Sequence, residues 1–456
     1  MTAVNASHAV FPAGLPLPAS VQGVLFLASR RHALQMLKKL YGPTFSARLP
    51  IFGRSVITSD PVLIKQVFQA REDVLTRVDG GLGQVLGPGS MFSLSGSRHQ
   101  ARRKLLVPPF HGRRMRAYEE IVVEETLREI SGWPESSEFS VMPSMMRITV
   151  NIILRAVFGA EGSQLDTLRE LLPSLVSTGS RLLLTPPFTR IDLGPKSLYG
   201  RYIRQRRQFD NEVESLIAKA AADPNFEDRD DVLSMMLRSR YDDGKPMSHS
   251  EIGDELLTLL AAGHETTATT LAWAVERLRR HPQVLGRLVQ EIDQGGSAAY
   301  RQATIFEVQR TRPVILATAR KVVSPSFELG KWTVPHGTTI LVGIGSVHGD
   351  DIVFPGAATF DPGRFGQVAP DIYQWVPFGG GRRRCIGAAF ANMEMNVVLR
   401  TVLEDFALET TGGPGERWHS RGIAFAPDQG GLAVVRRRKG PDRATVTHRG
   451  GETVTV

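Results

Sequence analysis

One segment, beginning near Ser248, constrains the fold of this chain more than any other. Ser248 and Glu251 have the spacing of a capping box, in which each side chain bonds the other's backbone N–H at a helix start. Apolar residues then recur with helical spacing up to His281-Pro282, where proline ends the pattern. The predicted helix has about thirty residues, well above the globular mean of about eleven or twelve. Its centre, residues 263–267, is polar. We therefore expect a helix that crosses a large core beside a functional site.

Composition sets the broad class of the protein. The chain has 456 residues, 42% of them hydrophobic, which is enough for a large core. The formal charge of +9 fits a nucleic acid, a membrane surface, an acidic partner or an ordinary solvated surface. A single cysteine excludes an intramolecular disulfide and suits a reducing cytoplasm. The apolar run at residues 24–28 is too short to span a bilayer, so we expect a soluble protein without a membrane anchor.

The segment that carries the clearest chemistry is residues 378–387, Phe-Gly-Gly-Gly-Arg-Arg-Arg-Cys-Ile-Gly. Its cysteine precedes a second apolar helix, predicted from Ala389 to Leu408. Free N–H groups and the helix dipole at such a start, together with the arginines, are expected to lower the pKa of the thiol. The glycines allow close approach to a flat ligand and leave amides free to bond the sulfur. The alternatives are a small buried hydrophobic residue, a phosphate cradle or an RNA contact.

This segment resembles the heme loop of the cytochrome P450 superfamily, Phe-Gly-x-Gly-x-Arg-x-Cys-x-Gly, at every fixed position. The resemblance implies that Cys385 is the axial ligand of a heme b iron, where a thiolate favours O–O cleavage. It also implies that Arg383 bonds a heme propionate. Phe378, Gly379 and Gly387 are the other matched positions that we expect to form the cofactor site.

Two further segments resemble the structural motifs of the same family. Glu307-Val308-Gln309-Arg310 matches Glu-x-x-Arg and lies 78 residues before Cys385. Alone it is no more than an ordinary i,i+3 helix pair. The sequence Phe360-Asp361-Pro362-Gly363-Arg364-Phe365 supplies the second arginine that the family places between them. We expect one carboxylate shared by Arg310 and Arg364 to act as a buried structural lock.

The polar centre of the long helix resembles the family's oxygen-activation motif, [Ala/Gly]-Gly-x-[Asp/Glu]-Thr-[Thr/Ser]. A small residue there leaves room for O2. The resemblance implies that the Thr266 hydroxyl can hydrogen-bond the O2 co-substrate and that Glu265 relays protons from solvent. The alternative is a helix kink with a surface carboxylate.

Basic residues around the motifs provide the remaining candidates. His99 and Arg103 are four residues apart, on one helix face, and the family often directs such a pair at a propionate. Arg320 resembles a further propionate arginine. The alternative is a plain surface or core histidine and solvated arginines. Arg102 and residues 382–384 are expected to form part of a basic face for an acidic redox partner.

The resemblance implies a mainly α fold with a small β region. One domain, residues 1–439, holds heme between the long helix and the Cys loop, and a tail, 440–456, is expected to be disordered. The implied function is cytoplasmic heme-thiolate monooxygenation with electrons from a ferredoxin and its reductase. An apolar substrate is expected between residues 79–96, residues 177–193, the helix face near Ala261 and residues after Pro313.

Three other functions remain open at this point. A heme-thiolate enzyme that does not use O2, such as an isomerase, dehydratase or peroxygenase, often lacks the acid–threonine pair, so Glu265-Thr266 disfavours it. A heme binder without activity needs no proton path. A nucleic-acid-binding protein does not need Cys385, and we expect no nucleic acid as a partner.

Overall fold

A computed structural model describes residues 11–438, apart from 29, 79–80, 111, 113, 160–164, 184, 186–189 and 367–368. The tail 440–456 that we expected to be disordered lies outside these residues. The described helices are α1 (Ala19–Ala28), α2 (Arg30–Tyr41), α3 (Pro61–Gln69), α4 (Leu82–Leu86), α5 (Gly96–Leu106), α6 (Arg114–Ile130), α7 (Met142–Phe158), α8 (Asp166–Leu182), α9 (Leu198–Ala221), α10 (Val232–Arg238), α11 (His249–Arg279), α12 (Pro282–Asp293), α13 (Ala299–Thr311), α14 (Ile344–His348) and α15 (Ala388–Asp405).

The β structure is small. Its strands are β1 (Thr44–Leu49), β2 (Gly53–Thr58), β3 (Leu75–Thr76), β4 (Phe139–Ser140), β5 (Ala317–Val322), β6 (Ser326–Leu329), β7 (Trp332–Pro335), β8 (Thr339–Gly343), β9 (Phe406–Leu408), β10 (Trp418–Ser420), β11 (Phe425–Pro427), β12 (Leu432–Ala433) and β13 (Val435–Arg437). One sheet has the order β1-β2-β8-β5-β3, with β2 and β8 parallel. The pairs β10-β11, β12-β4, β13-β9 and β6-β7 form two-stranded sheets. The predicted class, mainly α with a small β region, is confirmed.

Helix α11 crosses the core, as its length predicted. Ser248 Oγ accepts from Glu251 N at 3.2 Å, and Ser248 N donates to Glu251 Oε2 at 3.0 Å, so the capping box is confirmed. The helix has 31 residues and packs against α7, α13, α15 and β11. Side chains on all sides of it are buried, including Leu256, Ala268 and Trp273. A helix that is enclosed in this way holds its central residues in a fixed position within the core.

The predicted lock is present. Arg310 Nη2 lies 2.6 Å from Glu307 Oε1, and Arg364 Nε lies 3.2 Å from Glu307 Oε2. Arg310 Nη1 also donates to the carbonyl oxygens of His348 and Ala357, at 2.7 and 2.9 Å. Glu307 and Arg310 are fully buried, where an ion pair persists only if its remaining hydrogen bonds are satisfied. The cluster therefore ties α13 to the chain that leads to the Cys loop.

The helix that we predicted from Ala389 to Leu408 ends earlier. Helix α15 stops at Asp405, and Phe406–Leu408 forms strand β9, which pairs antiparallel with β13. Phe406 is fully buried beside Trp133. The prediction was wrong for these three residues because the partner strand comes from residues 435–437, which local periodicity does not report.

Candidate active site

The Cys loop (residues 376–387) ends directly at α15. Cys385 N donates to Phe378 O at 3.0 Å, which closes the loop. A 3₁₀ turn at Gly381–Arg383 precedes the cysteine, and Gly387 is the N-terminal cap of α15. The Gly387 amide also donates toward the Cys385 sulfur. The loop thus fixes the cysteine at a helix start, with a backbone donor directed at its sulfur.

Glycine is required in this loop by helix α3. A Cβ on Gly380 would lie 2.1 Å from the Phe68 ring, and a Cβ on Gly381 would lie 2.0 Å from Phe68 O. Gly381 also has φ +65°, a conformation that favours glycine. We expected the glycines to allow approach of a flat ligand. At these two positions the close neighbour is Phe68, so α3 sets the position of the loop.

The pKa of the Cys385 thiol does not follow our expectation. Burial raises it above its ordinary value of 9.0, although the Gly387 amide, Arg103 and Arg384 act in the opposite direction. The expectation of a lowered pKa was therefore wrong, because desolvation of the charged form is the largest effect. The side chain still has accessible surface despite its dense surroundings. A desolvated, accessible thiol with an amide donor suits a metal ligand, since a bound metal cation stabilises the thiolate.

The four predicted propionate residues form one cluster with Glu72, since Arg383, Glu72, Arg103 and Arg320 all influence the pKa of His99. Arg383 Nη2 is 3.0 Å and His99 Nδ1 is 3.8 Å from Glu72 Oε1. Arg320 Nη2 lies 3.5 Å from Gly380 O, and Arg103 Nη1 donates to Arg384 O at 2.7 Å. Burial, followed by the charge of Arg383, lowers the pKa of His99 to about 4, with smaller contributions from Arg103 and Arg320. His99 is therefore neutral at pH 7.

The charges of this cluster do not balance. Burial and the neighbouring Arg383 lower the pKa of Arg320 to about 10, and Glu72 only partly offsets them. His99 Nδ1 is buried and, among the described residues, has no hydrogen-bond partner. Three guanidinium groups around one carboxylate leave a net positive charge that an anionic ligand would neutralise. The cluster therefore fits the carboxylates of a heme.

The centre of α11 has one open face. Ala262 is exposed, although the helix around it is buried in the core. Thr266 Oγ1 donates to Ala262 O at 2.8 Å. A Cβ on Gly263 would lie 3.3 Å from Ile153 of α7, so this glycine serves helix packing. The small residue that faces open space is Ala262, one turn before Thr266.

Glu265 is buried and paired. Its Oε1 lies 3.2 Å from Arg421 Nε, in the turn between β10 and β11. Burial raises the pKa of Glu265, and the hydrogen bond and charge of Arg421 oppose that rise. The Arg421 side chain is 36% exposed, against 7% for Glu265. The surface-carboxylate alternative is thus wrong, and Arg421 connects a buried acid to the solvent side.

Arg102 does not belong to a basic face. It is buried, with Nη2 2.6 Å from Glu251 Oε1, Nη1 2.9 Å from Glu255 Oε1 and Nε 2.9 Å from Tyr241 Oη. The expectation for Arg102 was wrong because it points from α5 toward the start of α11, where two glutamates neutralise it. Arg382 and Arg384 on the Cys loop are exposed.

Three residues of the site region had no motif to identify them. Glu72 and Arg421 lie far in sequence from the groups they pair with. Glu394 is fully buried in α15, and Thr267 of α11 hydrogen-bonds its carboxyl. Burial raises the pKa of Glu394 well above 4.5. A glutamate within the apolar stretch of a helix was the one sequence signal available for it.

Comparison with known proteins decides the family. A sequence profile described as Cytochrome P450 matches residues 12–432. The chain belongs to the cytochrome P450 family. Over 421 residues it is 53% identical to a putative cytochrome P450 138 of Mycobacterium tuberculosis (strain ATCC 25618 / H37Rv), covering 92% of this chain and 95% of that protein. A putative cytochrome P450 135B1 of Mycobacterium bovis (strain ATCC BAA-935 / AF2122/97) is 36% identical over 438 residues, covering 93% and 91%.

Solved P450 structures share the fold. Cyanobacterial CYP120A1, solved with retinoic acid bound, superposes with a TM-score of 0.83 at 24% identity, covering 94% of this chain and all of that chain. The heme domain of cytochrome P450DA gives a TM-score of 0.77 at 21% identity, covering 91% and 95%. The predicted P450 fold is confirmed.

Family membership establishes the general activity. The protein is a heme-thiolate oxidoreductase of the monooxygenase type, which binds heme iron and uses oxygen. P450 enzymes generally need external redox partners. Within the part of the chain that the structure describes, no helix has the length and apolar character needed to cross a membrane.

The buried carboxyl of Glu394 makes stability depend on pH. Its raised pKa means that the folded state holds the proton more tightly than the unfolded chain. The free energy of unfolding therefore falls as pH rises above about 4.5, by up to about 1.4 kcal/mol per unit until the folded-state pKa is passed. Glu394→Gln is neutral at every pH, so the variant should gain stability relative to wild type between pH 5 and 8. Urea unfolding across this range measures the difference.

Glu404→Gln, a half-exposed site on the same helix, is the matched control and should show a nearly constant difference from wild type. If the difference in unfolding free energy between wild type and E394Q does not vary with pH, Glu394 is not held protonated in the folded state.

Proposed function

We propose that this P450 binds heme b and oxygenates an apolar small molecule, using electrons delivered by a ferredoxin and its reductase. The observation that carries the proposal is that the protein has both an accessible, desolvated Cys385 and an open face of α11 at Ala262 and Thr266. When bound, heme supplies the iron chemistry that activates O2. The protein supplies the ligand, a proton path and an apolar pocket.

Cys385 is the proposed iron ligand, and the loop orients it. The Gly387 amide donates to the sulfur, and closure by Cys385 N and Phe378 O holds the backbone. Phe378 packs against Trp375 with ring centroids 6.0 Å apart, while Gly379, with φ +64°, turns the chain. Arg103, Arg320, Arg383 and His99 are proposed to bind the propionates, which would neutralise the charge of the three arginines.

Purified protein reduced with dithionite and treated with carbon monoxide should show a strongly red-shifted Soret band, because a thiolate donates electron density to the iron. Cys385→His should lose this band while retaining some heme. An ordinary heme–CO spectrum from the wild type would contradict thiolate ligation by Cys385.

Glu265 and Thr266 are the proposed proton path. Burial raises the pKa of the Glu265 carboxyl above its ordinary value, which suits a group that passes on a proton, and Arg421 holds its Oε1. Thr266 Oγ1 uses its proton on Ala262 O and can still accept a hydrogen bond. A proton that enters at Glu265 is thus one residue away from a hydroxyl on the open face.

Thr266→Ala should retain heme binding and divert reducing equivalents from product to hydrogen peroxide, because water and protons at the open face are no longer ordered. We expect coupling to fall by about tenfold, within the range of one proton-transfer group. Hydrogen peroxide formed per NADPH consumed, with a substrate that the wild type converts, measures the effect. Thr270→Ala, which removes the equivalent helix hydrogen bond one turn later, is the control. Unchanged coupling in T266A would remove Thr266 from the path.

The side chains that meet near α8 support the proposal that the substrate is apolar. Leu183 Cδ2 would lie 3.4 Å from a Cβ on Gly81, and Val85 approaches Gly179 closely. Tyr202 donates to Val85 O and ties α9 to α4. Residues 79–96 and 177–193, which we expect to contribute to the pocket, therefore meet through aliphatic side chains in their described parts. Residues 79–80, 184 and 186–189 lie outside the described residues.

The ferredoxin is proposed to contact the exposed face of the Cys loop. Arg382 and Arg384 lie within three residues of Cys385 and are exposed, which suits an acidic partner. Arg382→Glu should slow reduction by ferredoxin by about tenfold at low ionic strength, and less at high salt. Stopped-flow reduction measures the rate. Arg207→Glu, an exposed arginine on α9, is the charge-matched control. Equal rates for R382E and wild type at low salt would contradict this docking face.

A further inference from the structure

Helix α1 is apolar on its exposed side as well as on its buried side. Its sequence, ASVQGVLFLA, has no charged residue. Phe26 packs into a core cluster with α2 and β1, whereas Val21, Val24 and Leu25 are exposed. A surface helix normally presents polar residues to water, and one that is apolar all round is normally covered. The outer face of α1 therefore has the composition of an interface.

This face continues onto the neighbouring elements. Leu25 and Met36 line the same small cavity, which places α1 and α2 side by side, and Gly23 packs against Pro50 at the tip of the β1–β2 hairpin. In the described chain, seven of the fourteen exposed large apolar side chains lie between residues 17 and 51. We name these seven the N-terminal apolar patch: Leu17, Val21, Val24, Leu25, Met36, Leu40 and Ile51.

The charge around the patch has one sign. Residues 11–59 contain six Lys or Arg and no Asp or Glu. Arg48 and Arg54 are both exposed and lie directly opposite each other across the hairpin, an arrangement that repels unless an anion is near. The backbone N–H of Arg48 donates to Gln22 of α1, which places the pair at the edge of the patch. Neither arginine, nor the exposed Lys39, has a carboxylate partner among the residues the structure describes.

We propose that the N-terminal apolar patch docks on the surface of an anionic phospholipid membrane, with aliphatic side chains entering the acyl boundary and Lys39, Arg48 and Arg54 at the phosphate level. All seven patch residues are aliphatic or methionine, whereas protein interfaces are enriched in aromatic residues. An apolar face bordered by cations that lack carboxylate partners is the arrangement that binds anionic lipid peripherally. Such docking would be reversible, and it would bring the enzyme to apolar compounds that partition into membranes.

The test uses the heme-loaded full chain and vesicles of phosphatidylcholine with or without phosphatidylglycerol, separated by sedimentation. Wild type should bind the phosphatidylglycerol vesicles at low salt and bind pure phosphatidylcholine at least about tenfold more weakly. Val24→Glu with Leu40→Glu should weaken binding to the anionic vesicles by at least about tenfold, because two carboxylates would have to enter the acyl boundary. These side chains are 66% and 62% exposed, so the fold should tolerate the change.

Ile372→Glu, at an apolar residue 59% exposed outside the patch, is the matched control and should bind as wild type does. The double variant Arg48→Gln, Arg54→Gln should reduce both the preference for phosphatidylglycerol vesicles and the salt dependence of binding. If V24E/L40E does not fold, this variant tests the proposal in its place. Wild type that does not bind vesicles, or V24E/L40E that binds as wild type does, overturns the proposal. If wild type is a dimer that does not bind vesicles, and V24E/L40E is a monomer, the proposal is overturned and the patch is a surface for self-association.

Discussion

The structure depends on holding one desolvated thiol in place. Burial raises the pKa of Cys385 despite the opposing effects of the Gly387 amide and two arginines, so the protein has to position a thiol that, as the proposed iron ligand, would have its charge balanced by the metal. Three separate contacts fix that position: the Phe378–Cys385 backbone hydrogen bond, the packing of Gly380 and Gly381 on Phe68, and the cap of α15. The Glu307 cluster anchors the preceding chain from the other side.

Near the thiol, positive charges of the protein are incompletely paired at the place where we expect the negative charges of a cofactor. Arg383, Arg320 and Arg103 lie in the cluster that contains His99 and Glu72, and burial lowers the pKa of all three arginines. Two fully buried arginines are instead paired with carboxylates of the protein. Arg102 has Glu251 and Glu255, and Arg310 has Glu307. This contrast distinguishes groups that build the fold from groups arranged for a ligand, although both kinds look alike as sequence.

Local motifs predicted the position of a residue where that position depends on its neighbours in the sequence. The capping box placed the start of α11, and the spacing of His99 and Arg103 placed them on one helix. Prediction failed where a distant element decided the outcome. Arg102 is adjacent to Arg103 but points to two glutamates about 150 residues away in sequence, at the start of α11. Phe406 continues an apolar helix pattern, yet it pairs with Arg437 in a sheet. No local pattern reports these partners.

The sequence by itself predicted the Cys loop, the long helix and the acid–threonine pair, because each is a set of residue types at a fixed short spacing. Only the tertiary structure decided which groups are desolvated. It buried Glu265, Glu394 and His99, and burial sets the direction of each pKa shift, while their contacts with Arg421, Thr267 and Glu72 oppose it. It also left the apolar face of α1 exposed, which composition alone would have assigned to the core. The physical reason is that burial is a property of the assembled chain, and burial controls both charge and exposure.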